Sequence, residues 1–160
     1  MTYLWQRLGV LTFWLTWPGL WLYLRWTTRT RLLLRVGDEI LVTRTWLSDG
    51  RWSLPGGGLH RSEEPPAGVI REVREETGIV LEPEDIQPLT IAMFRYHGLR
   101  FRCHYFVAEL AAKPVVKLQK FEITGSQWVR TNQISPLRYG PDVTKAIGSL
   151  SDDKVSISDH

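Results

Sequence analysis

GGLHRSEEPPAGVIREVREETGI, residues 57–79, sets three glutamates, Glu72, Glu75 and Glu76, at i, i+3 and i+4. On a helix all three carboxylates project from one side, and three close anions repel unless something positive holds them together. Hard oxygen ligands suit Mg²⁺ or Mn²⁺, which bind a few carboxylates and substrate phosphates while keeping several waters. Seen alone, an E-x-x-E-E run is a solvated helix face. Here Arg71 stands beside it and the turn Pro55-Gly56-Gly57-Gly58 lies upstream, where glycines let the backbone approach a ligand closely. The helix is expected over Pro65 to Thr77: proline suits the first turn, and Gly78 suits the left-handed position just past the end. Ala67, Ile70 and Val73 would face the core. Pro66 and Gly68 are weak helix formers that would loosen its start.

Outward from this stretch, 160 residues with 43% hydrophobic content suffice for one domain with a real core. Cys103 is the only cysteine, which rules out an internal disulfide and a zinc cluster and fits a reducing, cytoplasmic setting. The net charge of +3 is mild and the arginines are scattered, so no stable nucleic-acid complex is expected. His60, His97, His104 and His160 lack metal-ligand spacing, and no P-loop or H-E-x-x-H pattern is present. Cys103 has no adjacent helper that would make it a nucleophile.

Residues 1–30 form an unusual segment. From Leu8 to Leu24 no residue is charged, and Trp5, Trp14, Trp17, Trp21 and Trp26 all fall here. An apolar N-terminal helix is expected, kinked at Pro18-Gly19, and short for a bilayer span. Arg25, Arg29, Arg31 and Arg35 would keep the rest of the chain on the cytoplasmic side. Residues 1–26 therefore read either as an anchor at the inner face of the membrane or as a helix packed on the domain or on a second copy in a homodimer.

Residues 31–150 read as an α/β domain. Arg31–Val36 and Ile40–Thr45 are strands joined at Gly37-Asp38, a hairpin signal, and Arg51–Leu54 is a brief third strand. Leu89–Tyr96 and Leu99–Leu110, turning at His97-Gly98, would form the centre of a mixed sheet. Ala111–Lys120 is loop-like, Trp128-Val129 lies in a strand, Asp142–Leu150 is the last helix and residues 151–160 are a polar tail.

The stretch also fills every fixed position of the pattern G-x5-E-x7-R-E-U-x-E-E-x-G-U, with U bulky and apolar: Gly57, Glu63, Arg71, Glu72, Val73, Glu75, Glu76, Gly78 and Ile79. The chain therefore resembles the Nudix hydrolase family. The resemblance implies an α/β/α sandwich with a mixed β-sheet, and metal-dependent hydrolysis of a nucleoside diphosphate linked to another moiety. It implies the Gly57 carbonyl, Glu72, Glu75 and Glu76 as ligands of Mg²⁺ or Mn²⁺, with Arg71 orienting a carboxylate and Glu63 fixing loop to helix. An extra acidic residue from a late loop would be Glu122, with Glu109 as the alternative; either Glu122 or an uncommitted box glutamate would take the water's proton. A nucleotide base would stack on Trp46, Trp52, Phe94 or Tyr96. Two other readings stay open: a membrane-associated hydrolase of a lipid-linked or isoprenoid diphosphate, and a non-catalytic binding module of the same fold.

Overall fold

A computed structural model describes residues 2–24, 27–96, 98–118 and 122–157; of residues 2, 3, 20, 23, 24, 94–96, 99 and 151–157 it describes the backbone alone. His97 of the expected turn, Arg25, Trp26, Lys120 and His160 lie outside the described residues. Five strands form one mixed sheet: β1 (Arg29–Val36), β2 (Glu39–Thr45), β3 (Gln87–Tyr96), β4 (Leu99–Glu109) and β5 (Ile123–Arg130), in the order β3-β4-β1-β2-β5. β1 runs parallel to β4, and every other pairing is antiparallel.

β1 occupies the middle because its Leu32-Leu33-Leu34 run is apolar on both faces, and all three are fully buried. The β3–β4 hairpin expected there is displaced: β3 is an edge strand, with Ile91 and Met93 exposed. Leu32, Leu34 and Leu41 pack under helix α2 (Pro65–Thr77), while Leu33, Ile40 and Val42 pack under α3 (Pro141–Ile157) with Val143 and Ala146. The result is the expected α/β/α sandwich. Helix α3 runs on to Ile157, through most of the segment read as a tail.

β1 and β2 pair only at Arg35↔Ile40 and Val36↔Glu39, then part. Residues 52–58 fill the gap. Ser53 bridges Thr43, the Leu32 N–H donates to the Pro55 carbonyl at 2.9 Å, and the Thr30 N–H donates to the Gly57 carbonyl at 2.9 Å. The brief strand expected at Arg51–Leu54 is thus a wedge with isolated bridges, because it must serve both diverging strands. Gly56 has φ 130°, and a Cβ there would lie 2.4 Å from the Thr30 carbonyl oxygen, so no other residue fits this wedge.

Helix α2 begins at Pro65 and ends on Gly78, whose φ of 71° is left-handed and whose N–H returns to the Arg74 carbonyl. Its buried apolar face is Val69 and Val73, with Ile70 at the margin and Ala67 exposed. The buried face runs Val69, Val73 and Thr77 at i, i+4, with Glu76 at i+3 from Val73, so the inward stripe follows the 3.6-residue period and not a fixed three-residue spacing. Gly68 does not loosen the helix start; a Cβ there would meet Leu59 at 2.3 Å, so the glycine lets the 58–63 loop lie on the helix.

Helix α1 (Thr2–Leu24) continues through Pro18 and lies on the domain. Gly9 sits so close to Trp46 that a Cβ would be 2.2 Å from the Trp46 carbonyl oxygen. Trp5 stacks on Trp46 at 5.2 Å, the Trp46 indole N–H donates to the Trp5 carbonyl, and Thr124 donates to Gln6. Phe13 is buried, whereas Leu4, Leu8, Leu11, Leu15 and Leu22 are exposed. Among the described residues no helix is long and apolar enough to cross a membrane. Two of the arginines read as following an anchor, Arg29 and Arg31, are β1 residues at the cavity described below, and Arg35 pairs with Glu109.

Candidate active site

The α2 carboxylates are organised by Arg71. Its guanidinium donates to both oxygens of Glu63 at 2.8 and 3.0 Å, to Glu72 at 2.8 Å, to Glu75 at 3.4 Å and to the Gly58 carbonyl at 3.1 Å. Glu63 also accepts the His60 N–H at 2.8 Å, so one carboxylate ties the loop to the helix. The Arg71 hydrogen bonds hold the Glu63 carboxyl down at about 2. The planar fork of arginine suits this task, since it spans three acids and a carbonyl at once.

Glu76 points into the protein and is buried. Burial pushes its carboxyl up to about 8; Arg31 and the Gly56 N–H, which donates at 3.1 Å, oppose this, while Glu72 and Glu122 add to it. At the carbonyl of the same residue the Arg31 guanidinium donates to Gly56. Arg31 pairs with the buried Asp142 at 3.4 Å, and Asp142 also accepts the Leu54 N–H at 2.9 Å. The glycine wedge is therefore gripped from both layers of the sandwich, by Glu76 of α2 and by Arg31 and Asp142 on the α3 side.

A cavity of about 330 Å³ opens over this wedge. It brings together Gly57, Glu72, Glu76, Glu122 and Trp52 of the residues singled out in the sequence. Glu75 stays outside, about half exposed at the outer edge of Arg71. Arg71 and Glu63 lie behind Glu72. Trp46 is not at the cavity, because Trp5 and Gly9 of α1 cover its ring. Phe94 and Tyr96 lie in β3 opposite Phe101 and Leu99, and their side chains are outside those described. Glu109 pairs with Arg35 near the far end of β1, so of the two late acids Glu122 is the one at the cavity.

Sequence reading missed Arg29, Arg31, Arg51, Phe101, Asp142 and Phe13, all of which line the same cavity. A usable signal existed in β1: Arg29 and Arg31 alternate with the buried Thr30 and Leu32, which is the period of a strand rather than of a basic flank. Asp142 in the first turn of α3 offered no comparable cue.

The donor set fits a hard divalent cation. Glu72, Glu76 and Glu122 are all-oxygen donors on one cavity, and the buried Glu76 carboxylate has a single N–H donor against two acidic neighbours. The Gly57 carbonyl accepts one hydrogen bond and keeps a second lone pair. Among the described residues no three acidic, histidine or cysteine side chains converge as a ready-made metal cage. Arg71 accounts for that, since it draws Glu72 and Glu75 to itself.

Comparison with known proteins agrees with this geometry. The sequence profile of the NUDIX domain matches residues 26–147. A MutT-like protein of Streptomyces ambofaciens is 36% identical over 107 residues, covering 65% of this chain and 63% of the relative. Diphosphoinositol polyphosphate phosphohydrolase 3-alpha of Mus musculus is 43% identical over 42 residues, 26% of each chain. The solved MutT NUDIX hydrolase of Burkholderia pseudomallei superposes with a TM-score of 0.69 at 18% identity, covering 78% of this chain and 97% of that one, a likeness of fold. The chain spans less than two thirds of the length of these two curated relatives.

Proposed function

The chain belongs to the Nudix family, and from that premise we propose that it hydrolyses the diphosphate linkage of a nucleoside diphosphate joined to another group. The observation that carries the reading is one cavity in which Glu72, Glu76 and Glu122 face Arg29, Arg31 and Arg51 around a glycine wedge. A diphosphate repels an incoming hydroxide, so such a site must neutralise charge and position water more than supply covalent chemistry. Bound Mg²⁺ or Mn²⁺ would be held by Glu72, Glu76 and the Gly57 carbonyl, with Glu75 joining them only on turning away from Arg71, and would supply charge neutralisation and a more acidic water.

The chain's own residues do the rest. Arg29 and Arg51, the latter set in place by its ion pair with Asp49 at 2.7 Å, orient phosphate oxygens, while Arg31 serves Gly56 and Asp142 and keeps the wedge in shape. Arg71 holds Glu72 in place from behind. Glu122, exposed at the cavity, takes the proton of the attacking water; the new P–O bond forms as the anhydride P–O bond breaks, and the leaving phosphate departs with its electron pair. Trp52, Phe94 and Tyr96 are the aromatic candidates for a base. A reducing, cytoplasmic setting suits a chain whose one cysteine is a free, buried thiol.

The exposed leucines of α1 favour a second reading, a peripheral enzyme at an inner membrane face acting on a lipid-linked diphosphate. A panel of nucleoside-linked and isoprenyl diphosphates, assayed with Mg²⁺ and with Mn²⁺ for phosphate products, separates the two. Turnover of the nucleoside-linked class supports the first reading. Turnover of isoprenyl diphosphates alone supports the second, and inertness to both leaves only a binding module of this fold.

A further inference from the structure

Helix α1 lies outside the family match, yet it closes one side of the cavity. Phe13 is its buried contact, 4% exposed, and lines the cavity together with Trp52 and Phe101. The helix is fixed to the segments that carry other cavity residues. Val10 packs on Gly50, between Asp49 and Arg51; Gly9 and Trp5 clamp Trp46, whose N–H donates to the Glu122 carbonyl at 2.7 Å. Trp14 and Trp17 stand against the Phe13 ring at 5.4 and 5.0 Å and hold it from behind. The ring is buried and set against Trp14 and Trp17 of its own helix, and the helix is fixed to the domain through Val10 at Gly50 and through Trp5 and Gly9 at Trp46, so the ring stands as a wall.

The cavity is divided chemically. Its floor of glycines, carboxylates and arginines suits phosphate, whereas Phe13, Trp52 and Phe101 offer apolar ring faces that phosphate cannot use. We infer that Phe13 is a specificity-determining residue of this chain, contacting the planar non-phosphate group of a diphosphate substrate, with α1 as the element that presents it. The inference rests on the proposed diphosphate chemistry of the same site, but it concerns a residue that the family match does not reach. Phe101 carries Arg29 over its ring at 5.5 Å, and Trp52 carries Arg44 at 4.7 Å.

The test is a difference between two ligands of the full-length chain. Binding of the α,β-methylene analogue of ADP and of methylenediphosphonate is measured calorimetrically with Mg²⁺, for wild type, Phe13→Leu and Phe13→Ala. Phe13→Leu keeps apolar bulk and removes the ring, so it stays informative if the alanine variant unfolds. The expected result is a loss of roughly 3- to 10-fold for the nucleotide analogue beyond any loss for methylenediphosphonate, the range of one aromatic contact. Equal losses for both ligands make Phe13 a packing residue and overturn the inference, as does no loss for either. If the wild type binds the nucleotide analogue with this Phe13 dependence but cleaves no diphosphate, the hydrolase reading fails and the inference stands; if it binds neither ligand, both fail.

Discussion

Replacing Glu76 by glutamine has two effects of opposite sign. The carboxyl is buried with one N–H donor, and its pKa is carried from 4.5 to about 8. The unfolded chain ionises Glu76 near its ordinary value, so folding disfavours the charged form. Wild-type stability therefore falls as pH rises from about 4.5, and the penalty is complete above about pH 8. At about 1.36 kcal/mol for each tenfold change in proton affinity, the full penalty is roughly 5 kcal/mol, an upper bound since the site relaxes. Glutamine has nearly the same shape, can still accept the Gly56 N–H, and carries no such penalty. In EDTA the Glu76→Gln variant should match wild type near pH 4.5 and exceed it by pH 8.5 in melting temperature, by an amount on the order of 10 °C. The same variant should lose at least ~10²-fold in Mg²⁺-dependent turnover, the scale for one key electrostatic group. Mg²⁺ at pH 8.5 should narrow the stability gap, because it stabilises only the wild-type carboxylate. Thermal melts from pH 4.5 to 9 in EDTA and in Mg²⁺ provide the assay. Parallel pH profiles for the two proteins would refute the reasoning that Glu76 is a strained, cation-seeking acid.

The two adjacent glycines should respond differently to alanine. Gly56→Ala drives a Cβ into the Thr30 backbone at 2.4 Å with φ 130°, so urea unfolding should show a loss of about 3 kcal/mol or more. Gly57→Ala brings its Cβ nearest the flexible end of Glu72, the carboxylate at 2.5 Å, and should cut turnover at least ~10-fold with little change in the urea midpoint. Glu63 has its pKa depressed to about 2 by Arg71, so its contribution is present above about pH 4.5 and lost as pH falls through 2. The melting-temperature deficit of Glu63→Gln at pH 7 should shrink toward zero near pH 2, and a constant deficit would show that Glu63 acts by packing alone.

What was legible in the sequence was local. Helix α2 could be placed to its ends because Pro65, the Glu72-Glu75-Glu76 spacing and Gly78 each act within one or two turns. The hairpin at Gly37-Asp38 is of the same kind, and Glu122 lies at the cavity. What was not legible depends on pairings between distant segments. Nothing local says that β4 leaves β3 at the edge to run parallel to β1, or that residues 52–58 enter the gap between β1 and β2. The Arg31–Asp142 pair joins a strand near one end of the domain to a helix near the other, and neither residue sits in a motif. Trp46 was read toward the cleft from its aromaticity, but Trp5 offered it a nearer partner. The uncharged run of α1 was weighed between lipid and protein; its inner face, at Gly9 and Phe13, meets protein.

The central claim is that water attacks phosphorus at this cavity in a cation-dependent reaction. It is tested most directly by turning over one active nucleoside-linked diphosphate in ¹⁸O-labelled water with Mg²⁺ and weighing both phosphate products by mass spectrometry. The account predicts a single labelled oxygen in one of the two products, none in the other, and loss of the labelled product with EDTA or in Glu76→Gln. Label in a non-phosphate product, undiminished turnover in EDTA, or a phosphorylated protein trapped during the reaction would contradict it.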